Sequence, residues 1–436
     1  MNICFVALSF PSKDEPTSGV GSQVRVLAEA LIAAGHSVQV VTLGRSNATH
    51  YDHGIEVHEV RSGNLHWYIG KLPLLGRVFV EAARELEYGI AAMKGVRRAA
   101  KSRAVDLIEG AETGMLLLSL LWRLCPVVVR LHGEQYTFHK YTPGMRLTTG
   151  IRLARLLQRT ALRRAKLLIS PSRAHAIEIQ HELNSELPIA VVPNSLAVEK
   201  ASVFSVEDVV ESNIVLYVGR IERRKGIATL LQAAAQIRNR VPDVRFVFAG
   251  DFQKCFQRAE FFRIAKDLKI EGHITLLGAV GWNELTSWYK QCALVVLPSH
   301  YETFGMTATE PMAFGKPVVA TRGGALSEVV EDGVTGALVD CGDATALSAA
   351  IVGLLADSAK RAEMGVAGRE RARGRFSVEQ NLQANLDLYR KARTGSGTGL
   401  RRRQLRTLKA RSQSENNGTS LNGSPAVTAE LPQVRH

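Results

Sequence analysis

The chain has 436 residues, of which 46% are hydrophobic and 22% charged, a composition typical of globular proteins that excludes a wholly disordered chain. A chain of this length can bury large apolar cores without disulfides, and about 150 residues per domain predicts two or three domains. The 55 Lys and Arg residues exceed the 41 Asp and Glu residues by 14. This charge favours anionic partners such as nucleic acid, anionic lipid or a phosphorylated substrate.

The cysteines and the apolar segments restrict the class of protein further. The five cysteines are far apart and form no Cys-x-x-Cys pair, which argues against a zinc site or a redox pair. The first residues lack the basic start of a signal peptide, and the longest apolar stretch, 115–129, contains Arg123 and is too short to span a bilayer. We therefore predict a cytoplasmic protein.

The first part of the chain alternates short apolar runs with segments of helical periodicity. The first helix, for example, carries Val24, Leu27, Ala28 and Leu31 on one face and is expected to end at Gly35. The apolar runs predict strands at 3–8, 38–43, 55–60, 106–109, 127–131, 167–170 and 189–192. Near-continuous apolar strands separated by amphipathic helices indicate a parallel sheet that is covered on both faces.

The same pattern starts again after a polar connection and ends in helices. Further strands are predicted at 214–218, 246–249, 273–277, 294–297 and 317–321. The fold class is therefore α/β, with two Rossmann-like, doubly wound domains. We place these domains at 1–195 and 213–375, with a linker at 196–212, a C-terminal helix at 376–393 and a disordered basic tail at 394–436.

The most specific pattern follows the strand at 294–297, where the segment 302–310 reads ETFGMTATE. A helix that starts near Gly305 would let Glu302 fold back over the helix start, while Glu310 rises from the second turn. The free N–H groups of Gly305, Met306 and Thr307 would then face a phosphate between the two carboxylates, which suit hydroxyl-rich groups. The alternative is a pair of solvated carboxylates near a helix end.

A basic loop follows the strand at 214–218, where the segment 219–226 reads GRIERRKG. It lies at the carboxyl edge of the predicted sheet, where ligands of such folds bind. Arg220 could bind a pyrophosphate through two hydrogen bonds of its forked guanidinium, and Lys225 could bind it as a point charge. The alternative is a basic, solvated turn.

A second basic feature lies between residues 135 and 177, which contain no acidic residue. Arg152, Arg155, Arg159 and Arg163 follow one another at spacings of three, four and four, so they share one helix face. Such a helix suits an anionic membrane surface, and the alternative is a solvated arginine face over a core helix. The basic tail from residue 394 has no aromatic residue for base stacking, so we expect no nucleic-acid partner.

Taken together, these pieces resemble the retaining glycosyltransferases of family 4, which have the GT-B fold. The resemblance covers the chain up to about residue 392. Besides the two loops and the opening strand, the residues that carry it are Ser18-Gly19-Val20, Ala34-Gly35-His36, Arg130-Leu131-His132-Gly133, Val192-Pro193-Asn194, Gly323-Gly324 and Glu328.

The resemblance implies that two domains facing each other across a cleft transfer a sugar from a nucleotide-sugar to an acceptor with retention, without a metal or cofactor. The N-terminal domain would bind the acceptor, a glycan, a lipid-linked sugar or a small molecule, and the C-terminal domain would bind the donor. The implied catalytic residues are His132 near the reacting sugar, Glu302 and Lys225. The implied donor-binding residues are Gly19, Arg220, Lys225, Val280 at the nucleobase, Gly305, Met306, Thr307, and Glu310 at the ribose.

The chain departs from the family at three places. Where the family has paired glycines in the first loop, this chain has Ser18-Gly19. A few positions later, Gln23 stands where the family often has a histidine. After the strand at 246–249, Asp251 stands where the family often has a second glycine. Two other functions stay open: another GT-B enzyme, such as a sugar-nucleotide epimerase or a phosphorylase, and a non-enzymatic nucleotide-binding protein docked to a membrane.

Overall fold

The computed structural model describes residues 1–10, 19–73, 75–133, 135–196, 212–253 and 255–395. Ser18, residues 197–211 of the predicted linker and residues 396–436 of the predicted tail lie outside these ranges. The proposed domain boundaries therefore stay predictions.

The strands form two sheets that are parallel except for one antiparallel edge strand, and the alternating pattern predicts the parallel strands. The first sheet has the strand order β3-β4-β2-β1-β5-β6-β7-β8, and the second has the order β11-β10-β9-β12-β13-β14. The first sheet consists of β1 (Asn2–Val6), β2 (Ser37–Leu43), β3 (Thr49–Asp52), β4 (Ile55–Val60), β5 (Leu107–Ala111), β6 (Val127–Arg130), β7 (Leu167–Ser170) and β8 (Ile189–Val191). The second consists of β9 (Ile214–Val218), β10 (Arg245–Ala249), β11 (Ile274–Gly278), β12 (Leu294–Leu297), β13 (Val318–Thr321) and β14 (Gly336–Val339).

Helices connect most of the parallel strands and cover both faces of each sheet. In the first half they are α1 (Gly19–Ala33), α2 (Leu65–Gly70), α3 (Leu75–Ser102), α4 (Leu116–Leu121), α5 (Gln135–Lys140), α6 (Thr149–Arg164) and α7 (Arg173–Leu183). In the second half they are α8 (Ile227–Ile237), α9 (Arg258–Asp267), α10 (Trp282–Gln291), α11 (Met306–Ala313), α12 (Leu326–Val329), α13 (Ala344–Ala356), α14 (Ser358–Arg375) and α15 (Val378–Thr394).

The predicted strands are all present, and their bounds agree with the structure to within two residues. Two strands are missing from the sequence prediction. The edge strand β3 has the polar sequence THYD, largely exposed, and pairs antiparallel with β4, so it carries no apolar run. The other, β14, has only three apolar residues after a glycine. Edge strands of this kind are specified by their neighbour rather than by their own hydrophobicity.

The C-terminal helix α15 packs against the first sheet, although it follows the second sheet in the chain. Its residues Leu386 and Tyr389 lie in the same apolar cluster as Phe5 of β1. At the edge of its ring, the Tyr389 hydroxyl donates a 2.7 Å hydrogen bond to Oε2 of Glu109. Arg130 donates to Oε1 of the same carboxylate at 2.6 Å. The chain thus crosses back, and a buried polar network attaches the last helix to the N-terminal half.

We expect Tyr389→Phe to lower the free energy of unfolding by about 1–3 kcal/mol, because the buried Glu109 carboxylate loses a hydrogen-bond donor that water cannot replace. Urea denaturation of the full chain measures the change. Tyr51→Phe is the matched control, since 74% of Tyr51 is exposed and its hydroxyl is open to water. Equal stabilities of the two variants would contradict the assignment of this network.

Candidate active site

The candidate site lies where the carboxyl edges of the two sheets meet. The loop after β12 reaches the N-terminal half: the Thr303 hydroxyl donates to the carbonyl of His132 at 3.2 Å, and the Ser172 hydroxyl donates to the carbonyl of Thr303 at 2.7 Å. The approach is so close that a Cβ atom on Gly133, whose φ is +90°, would lie 2.4 Å from the Thr303 methyl group. Only glycine fits this position. The loop that carries Glu302 thus lies between the two halves of the chain.

Glu302 and Lys225 form a buried ion pair at the centre of this region. Lys225 Nζ lies 2.5 Å from Oε1 of Glu302, and the Ser299 hydroxyl donates to the same oxygen at 2.7 Å. Burial alone would raise the pKa of Glu302, but the positive charges of Lys225 and Arg224, with these hydrogen bonds, hold it below its ordinary value. Glu302 is therefore an anion at neutral pH.

The three arginines of the basic loop differ in burial: Arg220 and Arg223 are exposed, whereas Arg224 is buried. The side chain of Arg220 is 51% exposed and has its guanidinium 3.3 Å from Glu222, so it can turn toward a ligand. Arg224, in contrast, is 3% exposed; it donates to the carbonyl of Tyr301 at 2.6 Å and pairs with Glu222. Arg224 is not among the site residues that the sequence predicts, because three adjacent basic residues do not reveal which one points inward.

The helix α11 begins at Met306, as the sequence predicts. Gly305 precedes it with a φ of +104°, a left-handed conformation that favours glycine and turns the chain from the Glu302 loop into the helix. The first N–H groups of α11, at Met306 and Thr307, are those that a helix leaves without an internal partner. This helix start can therefore bind an anion such as a phosphate.

Glu310 lies in the second turn of α11 and is half-buried. It accepts a 2.9 Å hydrogen bond from the hydroxyl of Tyr289, which is fully buried. Burial raises the pKa of Glu310 to about 7, although this hydrogen bond lowers it in part. The carboxyl group is thus close to half-protonated at neutral pH and able to respond to a hydrogen-bonding ligand.

His132 follows β6 and lines a pocket with Gln23, Glu109, Arg130 and Asn194. Burial, reinforced by the charge of Arg130, lowers the pKa of His132 to about 3. The imidazole is therefore neutral at physiological pH. It can exchange hydrogen bonds with a ligand, but it is not a cationic acid.

Two departures from the family pattern have structural roles. The Gln23 amide donates to the carbonyl of Ser195 at 2.8 Å and to the sulfur of Met306 at 3.2 Å, so it links α1 to the start of α11. Asp251 accepts a hydrogen bond from the N–H of Ala279 at 3.1 Å and thereby shapes the loop before Val280. Val280 itself is partly buried against the core of the second sheet.

The role of Gly19 in donor binding stays a prediction. Gly19 is the exposed first residue of α1, and the loop before it lies outside the described ranges. Among the described residues, no three His, Cys, Asp or Glu side chains form a group that could hold a metal ion. Independence from metal stays a prediction.

The prediction of an exposed arginine face on α6 is wrong. Arg155 is 4% exposed and forms an ion pair with Glu182 of α7, while Arg163 donates to the carbonyl of Leu183 at 2.9 Å. Arg159 is half-buried, and only Arg152 and Arg163 of the four are exposed. Helical spacing could not show that another helix, α7, lies beside this face and supplies a carboxylate to Arg155.

Comparisons with known proteins agree with this architecture. The family model described as Glycosyltransferase Family 4 matches residues 17–200, and that described as Glycosyl transferases group 1 matches residues 199–371. A D-inositol 3-phosphate glycosyltransferase from Arthrobacter sp. (strain FB24) is 30% identical over 432 residues, which cover 89% of this chain and 95% of the relative.

Solved structures share the fold. Sucrose-phosphate synthase from Thermosynechococcus elongatus matches with a TM-score of 0.72 at 24% identity, over 89% of this chain and 98% of that chain. Anabaena HepE in complex with UDP-glucose matches with a TM-score of 0.64 at 23% identity, over 89% and 99% of the two chains. The chain is therefore a glycosyltransferase of family 4 with the GT-B fold.

Proposed function

We propose that this enzyme transfers a sugar from a nucleotide-sugar to an acceptor hydroxyl, with retention of the anomeric configuration and without a metal ion. The observation that carries the proposal is the Lys225–Glu302 ion pair beside the start of α11. This arrangement combines a cation, a carboxylate and free helix N–H groups at one point. A diphosphate and its attached sugar need these three kinds of group.

For the donor, we assign the diphosphate to Arg220, Lys225 and the N–H groups of Gly305–Thr307. Arg220 can form two hydrogen bonds to a phosphate, and the helix start adds partial positive charge. Glu310 would accept hydrogen bonds from the ribose hydroxyls, and Val280 would contact the base. That Anabaena HepE is a structural neighbour with bound UDP-glucose supports this class of donor.

For the reaction, we propose that the bond between the anomeric carbon and the diphosphate oxygen breaks while the acceptor oxygen bonds to the same face. The acceptor proton passes to the departing diphosphate oxygen, so no covalent intermediate with the protein is required. Lys225 neutralises the charge that develops on that oxygen, and neutral His132 hydrogen-bonds the sugar. Charge stabilisation of this kind is strongest in the transition state.

The acceptor class is less restricted. The name of the Arthrobacter relative supports a phosphorylated polyol, and the contacts of the Glu302 loop with His132 and Ser172 support acceptor binding by the N-terminal half. No helix within the described part of the chain is long and apolar enough to cross a membrane. A glycan or lipid-linked acceptor, a cytoplasmic location and contact with a membrane surface stay predictions.

The donor is found by thermal shift of the full chain with a panel of UDP-, GDP- and ADP-sugars. A donor at 100 times its Kd should stabilise the protein by about 2.7 kcal/mol. NMR of the product should then show the anomeric configuration of the donor, with a rate unchanged by EDTA. An inverted product would contradict the retaining mechanism, and loss of activity with EDTA would contradict its independence of metal.

Nucleotide-sugar affinity should fall as the pH drops below about 7, by up to about tenfold per pH unit. The pKa of Glu310 in the free protein is raised to about 7. The carboxyl group must therefore release its proton before it can accept hydrogen bonds from both ribose hydroxyls. Calorimetry measures Kd between about pH 6 and about pH 8 with a nucleotide-sugar, whose doubly esterified diphosphate keeps its charge. Glu310→Gln should remove this dependence and cost about 1.5–3 kcal/mol at high pH. A flat pH profile for the unmodified enzyme would exclude Glu310 from the donor site.

Lys225→Ala should lower kcat on the order of 100-fold, because the leaving diphosphate loses its neighbouring cation. Arg223→Ala, in the same loop, is the matched control, since Arg223 pairs with Glu260 outside the site and its side chain is 42% exposed. Both variants are assayed at a temperature where circular dichroism shows them folded. If only KM rises while kcat is kept, Lys225 is a ground-state anchor and the proposed role is wrong.

A further inference from the structure

Large apolar side chains are exposed in one short part of the N-terminal half. Within residues 65–90, Trp67 is 52% exposed and Tyr68 is 62% exposed. We call the whole set the hairpin patch; its members are Leu65, Trp67, Tyr68, Leu72, Phe79, Leu86 and Ile90, each at least 37% exposed. Single exposed apolar residues are ordinary, but a concentration of this kind marks an interaction site.

The two helices that carry the hairpin patch are held against each other. The imidazole Nδ1 of His66 on α2 lies 2.8 Å from Oε2 of Glu87 on α3, and a Cβ atom on Gly70 would lie 3.5 Å from a methyl of Val80. Residue 66 is thus beside residue 87, and residue 70 beside residue 80. The helices form an antiparallel hairpin, so the exposed side chains of both helices are concentrated on this one element.

The position of this hairpin follows from the topology of the first sheet. It begins directly after β4, and β4 is parallel to β2, which pairs with β1. The carboxyl ends of parallel strands lie at one edge, so α2 starts at the same edge as His132, which follows β6. The hairpin patch therefore borders the half of the cleft that we assign to the acceptor.

Basic residues flank the hairpin patch. Along α3, the exposed positions change from apolar at Phe79, Leu86 and Ile90 to basic at Lys94, Arg97 and Lys101, with helical spacing throughout. Directly after α2, the ammonium of Lys71 lies 3.5 Å from the centre of the Trp67 ring. Tryptophan and tyrosine prefer the interface between water and lipid, and lysine and arginine near it attract anionic headgroups.

We propose that the α2–α3 hairpin docks this enzyme on an anionic lipid bilayer. The apolar side chains of the hairpin patch enter the headgroup region, and the basic stretch of α3 contacts anionic headgroups beside them. A surface of this kind lies in the interface without spanning the membrane. In this proposal the membrane contact is the hairpin and not the arginine face of α6, since Arg155 on that face is buried. The docking does not depend on the proposed transfer reaction, although it would present a lipid-linked acceptor at the cleft.

Co-sedimentation of the full chain with phosphatidylglycerol-containing vesicles, and with phosphatidylcholine vesicles alone, tests the proposal. The unmodified protein should bind the anionic vesicles. The double substitution Trp67→Ser with Tyr68→Ser should weaken this binding about tenfold or more. The effect should persist in 1 M salt, because a Debye length of about 3 Å screens charges but leaves apolar contacts unaffected. Lys94→Gln with Arg97→Gln and Lys101→Gln should weaken binding at low salt and leave little difference at high salt.

The matched control is Val334→Ser with Val366→Ser, which removes two exposed apolar residues, 45% and 37% exposed, from the C-terminal half. This variant should bind vesicles like the unmodified protein, and all variants should keep their thermal unfolding temperature. Equal binding by the Trp67/Tyr68 variant and the control would overturn the proposal. A change from dimer to monomer in the Trp67/Tyr68 variant, without a change in vesicle binding, would assign the patch to a second copy of the chain and also overturn it.

Discussion

The negative charge of Glu302 is buried, and the geometry of the candidate site depends on the groups that pair with it. A carboxylate that is 8% exposed is costly unless it is paired and hydrogen-bonded. Lys225, from the loop after β9, supplies the cation, and Ser299, from the end of β12, supplies a hydroxyl donor. The pair therefore joins the loops of two adjacent strands and gives the site a defined geometry before any ligand binds.

The segment that carries Glu302 also joins the two halves of the molecule. Tyr301, beside Glu302, stacks on Tyr141 with ring centres 4.2 Å apart, and its hydroxyl lies 2.8 Å from Nδ1 of His175. Glu328 accepts hydrogen bonds from the N–H groups of Arg173 and Ala174 at the start of α7, where a helix favours a negative charge. The residue that pairs with Lys225 is thus flanked by contacts across the cleft. Any separation of the halves would disturb the Glu302 loop directly.

The ionisation states in the site follow from burial rather than from residue type. Two glutamates lie eight positions apart, yet the pKa of Glu302 is held below its ordinary value by Lys225, while burial without a cation raises that of Glu310 to about 7. His132 stays neutral because it is buried near Arg130. The candidate site thus contains one fixed anion, one carboxyl group whose pKa lies near neutral pH and one neutral ring that can form hydrogen bonds.

The sequence by itself determined the fold class and predicted the loops that carry the candidate site. Apolar runs such as those of β9 and β12 are specific because strands covered on both faces need continuous hydrophobicity, and the glycine before α11 marks a turn that few other residues allow. Periodicity could not decide which side of a helix or loop is covered. It therefore missed the inward turn of Arg224, the pairing of Arg155 with Glu182 and the return of α15 to the first sheet. Those outcomes depend on partners remote in the chain, such as Tyr301, Glu182 and Glu109, and only the tertiary structure brings them together.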